Sequence, residues 1–152
     1  MATAKGALWL IDTNVLVYAH NASDPRHAKA KALRDDALRN VLTACIAPQV
    51  LYEFYANLTS PKAPSPLTPT QAAREVENYF RTRRIVKIYP RRRTTLTVLR
   101  LVQTYHLTRQ DIFDATLVAV MLDNGVTQIY TENEADFNKF SAEGLTVVNP
   151  FI

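Results

Sequence analysis

Five short apolar runs, at residues 8–11, 41–47, 85–89, 126–130 and 145–148, read as strands. The segments between them carry helical spacing. A short helix is expected over 15–20, broken near 21–25, and a second from the Asp24-Pro25 start signal to about Asn40. Pro48 opens a third, to about Leu58, and Pro69 or Thr70 a fourth, to about Arg84. Residues 94–106, 111–124 and 133–140 complete the set, the 111–124 helix capped by Asp111 in front and Gly125 behind. Strands that alternate with helices from end to end predict an α/β fold, a central parallel sheet covered by helices on both faces.

Residues 60–69 hold Pro61, Pro64, Pro66 and Pro69. They form a stiff, extended loop rather than a boundary, because neither side is long enough to fold alone. A chain of 152 residues therefore reads as a single domain, 1–152. Apolar residues make up 47% and charged residues 21%, which excludes a disordered chain. The lone Cys45 cannot form a disulfide within the chain and sits in an apolar run as a buried thiol. One cysteine and three scattered histidines leave no zinc site. Asp12 and Asn14 interrupt the N-terminal apolar stretch, which is unlike a signal peptide, and no apolar run approaches the ~20 residues of a membrane span. A cytoplasmic location is expected.

The chemistry begins where the first strand ends, in ALWLIDTNVLVY. Asp12 stands at the C-terminal rim of a buried strand, where open α/β folds bind ligands. The plainer reading is a helix cap, a role that falls to Thr13 or Asn14 once Asp12 has another. Glu53 shares a polar stripe with Gln49 and Asn57 at spacings of four, which is also what a solvated helix edge looks like. Asp114 lies in IFDATLVAVML, apolar on almost every side. A helix dipole explains one acid near that start, but not both Asp111 and Asp114 in so apolar a helix. TENEADF follows the 126–130 strand and offers Asp136, with Asn133 and Thr131 as polar neighbours and Glu132 and Glu134 facing solvent. It also reads as an acidic surface loop. Oxygen-only ligands from several carboxylates suit Mg²⁺ or Mn²⁺, and such a cluster serves in-line displacement at phosphate.

In this order and spacing, Asp12-Thr13-Asn14, the helical Glu53, Asp114-Ala115 with Leu117-Val118-Ala119, Thr131-x-Asn133-x-x-Asp136-Phe137 and the closing Val147-Val148-Asn149-Pro150-Phe151 resemble the PIN-domain superfamily, and within it the VapC-type toxins. The resemblance implies a PIN-like three-layer fold and a metal-dependent endoribonuclease, with Asp12, Glu53 and Asp114 holding the cation and Asp136 fourth. Asn14, Asp111, Thr131 and Asn133 would be auxiliary. It implies RNA as substrate, a small antitoxin partner and a homodimer. Many members carry an aspartate where this chain has Asn133, so Asn133 and Asp136 compete for the fourth ligand position.

A net charge of +4 and a pI of about 9.3 permit an anionic partner. Arg81, Arg83, Arg84, Lys87, Arg91, Arg92 and Arg93 crowd one stretch. They read either as solvated surface or as phosphate contacts for RNA. Tyr79, Phe80 and Tyr89 interleave, as stacking platforms or as core. Two rival functions stay open. One is an RNA- or protein-binding module with structural acids. The other is a haloacid dehalogenase-type phosphatase, against which Asn14 counts, since that chemistry wants a second aspartate there.

Overall fold

The computed structural model describes residues 6–152. β1 (Trp9–Ile11) is the middle strand of a five-stranded parallel sheet ordered β3-β2-β1-β4-β5, with β2 at Ala44–Ile46, β3 at Val86–Lys87, β4 at Gln128–Tyr130 and β5 at Thr146–Val148. Leu10 sits beside Cys45 on one flank and Ile129 on the other. Leu10, Ile11, Ala44, Cys45, Ile46 and Ile129 are wholly buried, as a parallel sheet covered on both faces requires. The edge strands are the amphipathic ones, and Val86 is exposed.

The chain builds β1, β2 and β3 outward in one direction, then returns to place β4 on the other side of β1. That reversal makes the junction between β1 and β4 a topological switch point, where a crevice opens beyond the strands' carboxyl ends. Helices α1 (Thr13–His20), α2 (His27–Leu38), α3 (Pro48–Thr59) and α4 (Pro69–Arg81) pack in one series. Helices α5 (Thr94–Thr104), α6 (Asp111–Asp123) and α7 (Glu134–Asn138) pack in another. Thr94 and Thr97 donate hydrogen bonds to the Asp123 carboxylate and clamp α5 to α6.

Several boundaries depart from the sequence reading, among them strands shortened to 44–46 and 86–87, and two helix ends have clear local causes. α4 starts at Pro69 behind a reciprocal Thr68–Gln71 capping box, but it stops at Arg81 because Thr82 turns extended. Asp111 does not cap α6: it is the first helical residue, and the cap position belongs to Gln110. Gly125, at φ +71°, closes the other end in the left-handed conformation that glycine adopts without strain. Among the described residues no helix is long and apolar enough to cross a membrane.

Candidate active site

β1 hands the chain directly to α1, and Asp12 is the hinge between them. Its backbone is extended, and its own Oδ1 accepts the Thr13 amide at 2.8 Å, so Asp12 caps α1 itself; Thr13 and Asn14, expected in that role, lie inside the helix. The other oxygen, Oδ2, accepts from the Thr131 hydroxyl at 2.7 Å and from the Asn14 amide at 3.3 Å. Every one of these donors is neutral, yet Asp12 is only 5% exposed. Burial pushes its carboxyl up to about 6; the Thr131 and Thr13 bonds oppose the shift, and Glu53 and Asp114 add to it.

Thr131 is the wholly buried residue that closes β4 onto β1. Its hydroxyl donates to Asp12 and accepts from the Asn133 amide at 3.0 Å, while the Asp12 amide donates to the Tyr130 carbonyl at 3.1 Å. The Asn14 carbonyl receives the Glu132 amide at 3.2 Å. Glu132 itself is not a free solvent acid. Tyr18 donates to it, and the Arg26 guanidinium pairs with it at 2.5 Å while lying 3.6 Å above the Tyr18 ring. Glu134 stays partly exposed, with no cationic partner among the described residues.

Glu53 comes from the middle of α3. Its Oε2 accepts from the Thr13 hydroxyl at 2.9 Å and its Oε1 from the Gln49 amide at 3.1 Å, and the same amide reaches the Phe113 carbonyl on α6 at 3.1 Å. Asn57 bonds to the Glu53 backbone carbonyl instead of its carboxylate. Asp114 projects from the first turn of α6, where its Oδ2 accepts from Lys139 Nζ at 3.0 Å. Burial raises its pKa, the Lys139 ammonium opposes the shift, and Asp136 and Asp111 reinforce it.

One cavity of about 260 Å³ is lined by Asp12, Glu53, Asp114 and Asp136, together with Asn14 and Asn133. Four acids from four separate elements thus meet at the switch point. Thr131 lies beneath the cavity as a support, and Asp111 stands outside it, 3.7 Å from Lys139. Among the described residues no three carboxylate or imidazole side chains already form a closed ion cage. Asp12, Glu53 and Asp114 lean on hydroxyls, amides or Lys139, and among the described residues the Asp136 carboxylate has no such partner. A second cavity, of about 590 Å³, shares Val17 and Asn57 with the first and runs on past His20 and Lys62 to the proline-rich loop.

The basic stretch does not reach the acids. None of its residues lines the cavity. Arg81 pairs with Glu77 on its own helix, and Arg93 lies 3.6 Å from Asp123, roughly 14 Å along α6 from Asp114. Arg83, Arg84, Arg91 and Arg92 are exposed, without an acidic partner among the described residues. Tyr79 belongs to the core, whereas Phe80 and Tyr89 are about half exposed. The residue that sequence reasoning missed is Lys139, three places after Asp136 and so on the same face of that turn. Thr13, read only as a cap, orients Glu53.

The PIN domain profile matches residues 9–143. Ribonuclease VapC24 of Mycobacterium tuberculosis is 34% identical over 132 residues, spanning 86% of this chain and 89% of that protein. Among solved structures, M. tuberculosis VapC20, described as a Sarcin-Ricin loop cleaving toxin, superposes with a TM-score of 0.65 at 19% identity, over 91% of this chain and 96% of that one. The toxin–antitoxin assembly VapBC2 of Rickettsia felis, bound to a DNA fragment from its promoter, gives 0.61 at 18% identity over 93% and 98%. These two likenesses concern the fold, and they agree with the five-stranded parallel sheet and its helical layers. From the profile and the curated relative together, the chain belongs to the PIN domain family.

Proposed function

We propose that this chain is a metal-dependent endoribonuclease and the toxin of a toxin–antitoxin pair, with residues 1–152 as one PIN-like domain. The observation that carries this reading is Asp12: a buried carboxylate supported only by neutral donors, in a cavity that three more acids line. A buried charge ordinarily finds a cation. Within the described residues Lys139 serves Asp114 and Arg26 serves Glu132, and neither bonds to Asp12. The all-oxygen donor set fits a hard ion, Mg²⁺ or Mn²⁺, held by Asp12, Glu53, Asp114 and Asp136. RNA as substrate follows the name of the M. tuberculosis relative, and a small antitoxin partner follows the toxin–antitoxin assemblies among the structural neighbours. A homodimer belongs to the same reading, as does a cytoplasmic site of action.

When bound, the cation supplies Lewis acidity toward the scissile phosphate and makes a water more acidic. The chain does the rest. Asp12, fixed from both oxygens, is the rigid anchor. Thr13 and Gln49 hold the Glu53 carboxylate toward the cavity from two sides, which orients a ligand before substrate arrives. Asp136 reaches the cavity without a side-chain partner among the described residues, placed to take the cation or a proton from water. Among the described residues no histidine lines the cavity, which leaves its carboxylates as the side-chain bases there. Asn133 contributes a carbonyl ligand at most and adds no charge.

The test is cleavage of end-labelled RNA by the purified chain with Mg²⁺ or Mn²⁺. Cleavage that stops with EDTA and in both Asp12→Asn and Asp114→Asn supports the reading. RNA bound equally well with and without EDTA, and never cut, would favour a binding module.

A further inference from the structure

Among the described residues Lys139 is the cation that bonds to an acid of the cavity. It follows directly on α7, whose Asp136 lines the cavity, and its ammonium reaches across to α6. There it holds Oδ2 of Asp114 at 3.0 Å and approaches Asp111 at 3.7 Å, with its side chain only 26% exposed. Lys139 does not line the cavity, so it neutralises Asp114 from behind.

Paired metal ions in phosphoryl chemistry lie about 3.5–4 Å apart and are commonly spanned by a carboxylate that gives one oxygen to each. Asp114 offers such a pair Oδ1 but not Oδ2 on equal terms, because the Lys139 ammonium 3.0 Å from Oδ2 repels a second cation there. Asn133 adds a neutral amide to the cavity lining where another acid would add charge. These two features of the chain both subtract from a second ion site.

We propose that Lys139 limits the site to one divalent cation by setting its positive charge against the second oxygen of Asp114; the inference rests on the metal-dependent reading above. Ion count, not activity, is the readout. Mn²⁺ binding is measured by calorimetry and by the electron paramagnetic resonance signal of free Mn²⁺, on the intact chain and on Lys139→Met, Lys139→Gln and Lys139→Arg. The parent chain and Lys139→Arg are expected to bind one ion, and the two neutral variants two. Two neutral variants guard against one failing to fold, and the parent count tests the inference without any variant. Two ions in the parent, or one in both neutral variants, overturns it while leaving metal dependence intact. No Mn²⁺ bound by the parent overturns the metal-dependent reading and the inference with it. If Lys139 were only a strut between α7 and α6, its loss would lower the melting temperature and leave the count at one.

Discussion

Replacing Asp12 with asparagine is expected to stabilise the metal-free protein while abolishing its activity. In the folded chain the Asp12 carboxyl is raised from 3.8 to about 6, with burial as the largest cause. Between those pH values the folded protein keeps a proton that the unfolded chain has released. Stability therefore falls as pH rises through that window, and the whole penalty is in force above about pH 6. The shift corresponds to about 3 kcal/mol. Asparagine keeps an acceptor for the Thr13 amide but must donate to Thr131, so a net gain of about 1–3 kcal/mol is expected, or some 3–10 °C in melting temperature for a chain of this size. The assay is thermal denaturation in EDTA at pH 7.5 and at pH 4. The gain should be present at pH 7.5 and nearly gone at pH 4, where the native carboxyl is already protonated. Adding Mg²⁺ should raise the melting temperature of the parent and not that of the variant. An asparagine variant less stable than the parent at pH 7.5, or equally stabilised at both pH values, would refute the account of Asp12 as an uncompensated buried charge.

Glu53→Gln and Asp114→Asn should each lower RNA cleavage by about 10²–10³-fold, read from initial rates on labelled RNA, with circular dichroism unchanged. Thr13→Val removes the hydroxyl that orients Glu53 and should weaken Mn²⁺ binding about 10–100-fold in a calorimetric titration. Thr131→Val leaves Oδ2 of Asp12 without its best donor and should cost about 1–3 kcal/mol of stability by urea denaturation, since the site is wholly buried. Arg83→Gln with Arg84→Gln should flatten the salt dependence of RNA binding if these arginines touch phosphate. An unchanged slope would return them to plain surface.

The centre of the sheet was legible because a strand buried on both faces has to be written as an uninterrupted apolar run. The run ends where the chain leaves the sheet, so Asp12 and Thr131 announce the rim. Its bounds were less legible. Val41 is exposed at 72%, apolar in character but outside the ladder, and periodicity alone cannot see where pairing stops. Asp111 looked like a cap, but Arg109 takes a left-handed turn at φ +56° and Gln110 already has helical backbone angles, which moves the cap position, though not the helix start, back by one. The four acids could be picked out because carboxylates in apolar helices or just after buried strands are costly. Lys139 could not, since lysines are common on any surface and its partner Asp114 is 25 residues away. The arginine cluster shows the reverse fault: dense along the chain, it contributes nothing to the lining of the acid cavity, and Arg81 and Arg93 meet Glu77 and Asp123 instead.

The hydrogen bond between Thr131 and Asp12 joins residues 119 apart in sequence. β1 emerges first from the ribosome and takes the middle of the sheet, yet one of its two neighbouring strands is made last but one. During synthesis the anchoring carboxylate waits, with one flank unpaired, for residues 128–136 to arrive. A contact of such span forms slowly and late. An unfinished chain thus holds Asp12, Glu53 and Asp114 without the strand and turn that bring them to one cavity. On the reading proposed above, the site cannot close until residues 128–136 have been made.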